Sequence, residues 1–105
     1  MTRGEIYRIR FPRGKGGEQK GVRYGLIVQA EELLGLSTAV VAPTSTSAAA
    51  ATFRPEIEIE GRPTRVMVEQ LRALDIERLD RLAGRLSARE MGAVDEALAL
   101  VLDLA

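Results

Sequence analysis

A chain of 105 residues, 46% hydrophobic and 29% charged, has the size and composition expected of one globular domain built on a single core. It contains neither cysteine nor histidine, which removes a disulfide framework, the usual zinc donors and the commonest general base, and makes the cytoplasm the expected location. Formal net charge is zero, yet residues 1–30 carry seven Lys/Arg against two acids, a local +5 that the acidic remainder cancels, so an anionic partner is expected near the N-terminal segment.

In chain order, GEIYRIRF at 4–11 alternates with a period near two and predicts a strand with an arginine-bearing face. Pro12 and the glycines at 14, 16, 17 and 21 then open a charged, mobile loop that contains Lys15, Glu18, Gln19 and Lys20. The apolar run after Gly25 predicts a buried strand at about 24–29, with Arg23 where the loop meets it. AEELLGLS at 30–37 predicts one helical turn, and STAVVA at 37–42 a strand closed by Pro43. The hydroxyl run Thr44–Ser47 is expected to be a strand exit or turn, and the alanines at 48–51 a loop. EIEIE at 56–60 predicts a strand with Ile57 and Ile59 inward, GRP at 61–63 a turn, and RVMVEQL at 65–71 another strand. Five short strands at this spacing predict a small, strongly curved barrel or sandwich. The period then changes. DIERLDRLA at 75–83 sets Ile76, Leu79 and Leu82/Ala83 on one helical stripe stopped by Gly84, predicting a short helix. Ser87 with Glu90 three residues on forms a capping box before Met91, Val94, Leu98, Val101 and Leu102, so an amphipathic helix of about four turns closes the core. No run reaches the roughly 20 apolar residues of a membrane helix, and the N-terminus lacks a secretory core, so no membrane association is expected.

Three polar groups are candidates for chemistry: the loop ending in Arg23, the hydroxyls Thr44–Ser47, and Glu69-Gln70-Leu71-Arg72 with Asp75. Each alone is a weak signal. An arginine near a hydroxyl can cleave RNA without histidine, because the guanidinium stabilises charge developing on the scissile phosphate. The hydroxyl then contacts a non-bridging oxygen or orients the ribose 2′-OH, the nucleophile that RNA itself supplies.

The motifs GEIY at 4–7, GGEQKGVR at 16–23, VAPTS at 41–45, VEQLRALD at 68–75, GRLS at 84–87 and MGAVDEALALVLDL at 91–104 stand in the order of the MazF/PemK toxin endoribonucleases. The chain resembles that family over nearly its whole length, residues 1–105 forming one toxin domain. The resemblance implies a mainly β fold, a small SH3-like β-barrel with a C-terminal α-helix, that works as a homodimer without a metal or other cofactor. It also implies sequence-specific cleavage of single-stranded RNA to 2′,3′-cyclic phosphate and 5′-OH ends, and inhibition by a cognate antitoxin. Position by position, it puts the catalytic arginine at Arg23, followed here by Tyr24 instead of the family's usual proline. It puts the catalytic hydroxyl at Ser45, two places after Pro43, with Thr44 and Thr46 competing for the role. Lys15, Glu18, Gln19 and Lys20 match the loop bordering the RNA groove, and Glu69, Gln70 and Arg72 a segment near the groove and the dimer interface, where buried structural pairing is at least as well supported as RNA contact. The same fold also hosts CcdB-like gyrase poisons, so a gyrase poison and an inactive dimerisation module stay open as alternatives.

Overall fold

The computed structural model describes residues 1–104. Seven strands and one helix follow in order: β1 Glu5–Phe11, β2 Gly21–Ile27, β3 Thr38–Ser45, β4 Glu56–Ile59, β5 Arg62–Val66, β6 Arg72–Asp75, β7 Leu79–Arg85 and α1 Ala88–Leu102. All pairings are antiparallel, in the order β4-β5-β3-β2-β1-β7, with β6 also paired to β3. The predicted mainly β fold with a C-terminal helix is therefore present, with seven strands where the spacing predicts five. No helix among the described residues is long and apolar enough to cross a membrane.

β3 is the spine of this sheet. Its first half pairs with β6 from Thr38 to Val41, its middle with β2 from Val41 to Pro43, and its last two residues with β5. Contrary to expectation, Pro43 does not end the strand, which runs through it to Ser45. A proline interrupts a ladder because it has no N–H to donate. Here β3 changes partner just beyond Pro43, and the Pro43 carbonyl still accepts the Met67 N–H at 2.8 Å. Thr44 and Ser45 are consequently buried strand residues.

The alternation in β1 divides the interior. Ile6 joins Leu26, Ala42, Ile57, Ile59, Val66, Val68 and, from the helix, Val94 and Ala97 in one cluster. Ile9 and Phe11 join Ile27, Ala39, Val41 and Leu74 in a second. Gly25 lies over the second cluster. A Cβ there would sit 2.6 Å from Ile9 Cδ1 and 3.1 Å from Phe11 Cζ, so a side chain at this position would displace the packed interior.

Four other expectations need correction. β2 begins at Gly21, so Arg23 is its third residue and not a loop junction. The predicted strand 65–71 ends at Val66: Val68–Gln70 is a 3₁₀ turn, and β6 follows at Arg72–Asp75, although Val66 and Val68 are both buried as expected. The turn expected at 61–63 lies at Glu60 and Gly61, with φ of +50° and +80°. The helix expected over 75–83 is a 3₁₀ turn at Ile76–Arg78 followed by β7. The stripe that suggests it is not a buried face, since Ile76 and Leu82 are exposed. β7 instead pairs with the edge of β1, and Arg85 donates to the buried Glu5 carboxylate at 2.9 Å. Strand pairing at an open edge outweighs a weak helical pattern.

The capping box is present. Ser87 Oγ accepts the Glu90 N–H at 3.1 Å, the Ser87 N–H donates to Glu90 Oε1 at 2.9 Å, and Glu90 Oε2 accepts the Glu58 N–H at 2.8 Å, tying the helix start to β4. Burial raises the Glu90 pKa, but these hydrogen bonds outweigh it and hold the carboxyl below its ordinary value. Val94 and Ala97 are buried in the sheet, whereas Val101 and Leu102 at the helix end are exposed.

Candidate functional site: an arginine-and-hydroxyl cleft

Where β3 crosses from β2 to β5, the strands open a cleft of about 330 Å³. Arg23, Thr44, Ser45 and Thr46, the four candidates for catalysis, all line it. Arg8, Tyr24, Glu60, Arg62 and Thr64 line it too. The cleft thus draws on β1, β2, β3, the β4–β5 turn and β5.

Arg23 is exposed, and its Nε donates to the Lys20 carbonyl at 3.0 Å. That bond leans the side chain against the loop end and leaves the two terminal amino groups for a ligand. Among the described residues Arg8, Arg23 and Arg62 make no ion pair, so three guanidiniums face one cleft in which the carboxylate of Glu60 is engaged by Tyr24 and Arg81. Unneutralised arginines gathered in a concave surface favour an anion, above all a planar two-oxygen face such as phosphate.

The hydroxyls differ in availability. Thr44 Oγ1 donates to the Tyr24 carbonyl at 2.9 Å and so fastens β3 to β2. Ser45 Oγ has only weak local partners, the Ser47 N–H and Oγ, each at 3.3 Å. Thr46 is exposed beyond the strand end. Ser45 is held by the β3–β5 ladder opposite Arg65 and keeps a hydroxyl that an incoming oxygen can outcompete its neighbours for.

The residues expected in RNA binding fall elsewhere. Glu18, Gln70 and Arg72 line a separate cleft of about 410 Å³ together with Glu69. Lys20 lines a third with Phe11 and Arg13, and Lys15 and Gln19 line none of the three. Gln70 pins the glycine loop to the 3₁₀ turn, because its Nε2 donates to the Gly17 carbonyl and its Oε1 accepts the Gln19 N–H, both at 2.8 Å. Glu69 is committed to Arg54, whose Nε donates to it at 2.8 Å.

Sequence reasoning missed Glu60, Arg62, Thr64 and Arg81. Tyr24 donates its hydroxyl to Glu60 Oε1, Arg81 donates to the Tyr24 oxygen at 3.3 Å, and Arg81 stands 3.7 Å from Glu60. The Tyr24 hydrogen bond, aided by the charges of Arg81 and Arg8, holds the Glu60 carboxyl below its ordinary pKa against the opposing effect of desolvation, so it is ionised at neutral pH. Arg62 and Arg81 come from the acid-rich half of the chain, and no local pattern marks them as neighbours of Arg8 and Arg23.

Comparison with known proteins bears on the family and the fold. The family described as PemK-like, MazF-like toxin of type II toxin–antitoxin systems matches residues 2–102. Endoribonuclease MazF9 of Mycobacterium tuberculosis (strain ATCC 25618 / H37Rv) is 33% identical, over 99% of this chain and 98% of the relative. In structure, MazF of Deinococcus radiodurans is similar with a TM-score of 0.85 at 22% identity, covering 99% of this chain and 97% of the other. An endoribonuclease from a mycobacterial species, solved in complex with its cognate antitoxin, has a TM-score of 0.82 at 20% identity, covering 100% and 97%. With a family match spanning almost the whole chain and a relative above 30% identity along almost its full length, this protein belongs to the PemK/MazF-like toxins of type II toxin–antitoxin systems.

Proposed function

We propose that the chain, acting as one toxin domain, is an endoribonuclease that cuts single-stranded RNA within the arginine-and-hydroxyl cleft. The observation that carries this reading is the meeting of Arg23, Ser45 and the unpaired Arg8 and Arg62 in one concave site. The ribose 2′-oxygen attacks the adjacent phosphorus and loses its proton to solvent. The bond to the 5′-oxygen breaks, that oxygen takes up a proton, and the products are a 2′,3′-cyclic phosphate and a 5′-OH. Arg23 supplies a planar pair of N–H donors to the non-bridging oxygens, which carry more charge in the transition state than in the substrate. Ser45 donates to one of those oxygens or orients the 2′-OH. Cutting messages in this way stops translation and growth.

A cytoplasmic homodimer controlled by a cognate antitoxin follows from the same reading, supported by family membership and by the antitoxin complex of the mycobacterial relative. The cleavage proposed is metal-independent: the chain has no His or Cys to hold zinc, and RNA supplies its own nucleophile in the 2′-OH. The test is incubation of purified protein with a defined single-stranded RNA in EDTA, followed by end-group mapping. Cyclic phosphate and 5′-OH ends support the reading, whereas activity abolished by the chelator removes its metal-independence. Gyrase-dependent DNA breaks with RNA left intact would replace it with the gyrase-poison alternative.

A further inference from the structure

The Tyr24–Glu60–Arg81 group is unexplained by phosphate chemistry. A carboxylate in a cleft that attracts a polyanion repels the strand unless it meets something other than phosphate. Its lowered pKa makes Glu60 a weak base at neutral pH, so proton abstraction is a poor account of it. A stabilising role is also a poor account, because Glu60 and Arg81 are both exposed and exposed ion pairs add little.

The backbone points the same way. Glu60 has φ +50° and Gly61 φ +80°, a two-residue hairpin turn with both residues left-handed. Asn, Asp or Gly is preferred at the first of these positions, and a residue with a longer side chain pays for the conformation. Left-handed non-glycine residues gather at functional sites, where the surrounding structure holds the strain in place. Here the chosen side chain is an ionised acceptor, oriented by the Tyr24 hydroxyl through Oε1, and it lines the cleft that holds Arg23 and Ser45 with no hydrogen bond to Oε2 among the described residues.

Bases of a single strand can splay out and offer their Watson–Crick edges to side chains. An ionised carboxylate is acceptor-only. The guanine edge presents two adjacent donors, N1–H and N2–H, which match its two oxygens: Oε2 takes one, and Oε1 takes the other on the acceptor site that the Tyr24 hydroxyl does not occupy. Adenine and cytosine set an acceptor beside their amino group, and uracil flanks its single N–H with two carbonyls, so each of these repels one carboxylate oxygen. We propose that Glu60, held by Tyr24 and Arg81, is a specificity-determining residue that reads the Watson–Crick edge of a guanine next to the scissile phosphate.

This rests on the ribonuclease reading above, and one experiment separates the two. A random single-stranded RNA pool is cleaved by wild type, Glu60→Gln, Glu60→Asn and Tyr24→Phe, and the new ends are sequenced. Wild type should enrich guanine at one position beside the cut by about tenfold or more, the range of one well-made base contact. Both Glu60 variants should lose that enrichment at that position alone, and Tyr24→Phe should weaken it. Inosine at that position, which lacks the N2 amino group, should slow wild type and leave Glu60→Gln indifferent. Glu60→Asn should keep or raise the melting temperature, since asparagine suits the left-handed turn, so loss of preference cannot be ascribed to misfolding. An identical end profile for wild type and Glu60→Gln, or wild-type indifference to inosine, overturns the assignment of Glu60 alone. No RNA cleavage by wild type overturns the ribonuclease reading beneath it.

Discussion

Two surfaces of this protein present unpaired cations, and they are built differently. The cleft sets Arg8, Arg23 and Arg62 on strands or at their edges, each fixed by a ladder. The loop 12–20 sets Arg13, Lys15 and Lys20 on glycine-rich backbone without regular structure, tied down by Gln70 and by the Glu18 contact with the Lys15 N–H at 2.7 Å. Strand-borne groups stay in place when charge shifts on a substrate, which is what transition-state stabilisation requires. Loop-borne groups adapt and attract. The proposed chemistry therefore falls to the cleft, and the proposed capture of the strand to the loop.

The sharpest way to break this division is Arg23→Ala, which should lower kcat on the order of a hundredfold or more with the melting temperature unchanged. Arg23→Lys should restore little, because an ammonium cannot make the planar two-point contact. Single-turnover cleavage of a defined RNA measures both, and wild-type turnover in Arg23→Ala would remove the mechanism.

Next in size is the contrast between neighbouring hydroxyls. Ser45→Ala should cost kcat about tenfold or more with little change in stability. Thr44→Val should do the reverse, because its hydroxyl is committed to the Tyr24 carbonyl: about 1 kcal/mol of stability lost and a smaller change in rate. Denaturant melts run beside the kinetics decide between them. If Thr44→Val proves the slower enzyme at equal stability, the roles of the two hydroxyls exchange.

Gln70→Ala addresses the loop itself. Losing both 2.8 Å bonds to residues 17 and 19 should free the loop, raising its proteolytic susceptibility and KM by a few-fold while kcat holds. A fall in kcat equal to that in kcat/KM would mean that the loop participates in chemistry.

The smallest effect should come from the double variant Lys15→Ala with Lys20→Ala. Removing two loop cations should weaken RNA binding modestly and flatten its dependence on log salt by about one to two units, without altering the chemical step. An acidic antitoxin tail drawn to the same cations should lose affinity in parallel, so competition binding with uncleavable RNA serves as the second readout. A stable complex of toxin, RNA and antitoxin tail at one site would show that loop and cleft do not share a ligand.

The sequence carried several features without help from the fold. The period-two alternation of β1 marked a strand with an arginine-bearing face, that of β4 marked Ile57 and Ile59 as interior, and the Ser87/Glu90 box marked the start of α1. These are local rules: a side chain's face follows from the backbone period, and a cap is satisfied within four residues. Arg23 and the Thr44–Ser47 run were legible as residue types suited to phosphate chemistry, and the order of the motifs pointed to the family.

What only the tertiary structure decided is everything that depends on which strand lies beside which. β7 is a strand because β1 offered an open edge, although its own stripe reads as helical. β3 runs through Pro43 because it changes partner just beyond that residue. Ser45 is the available hydroxyl and Thr44 the committed one because the Tyr24 carbonyl of the neighbouring strand accepts from Thr44. The cleft joins Arg8 to Arg62, and Tyr24 to Glu60 and Arg81, across 36 to 57 residues of chain. Hydrogen bonds and charge pairs act over a few ångströms of space, and the chain's own spacing carries no record of those distances until the sheet has closed.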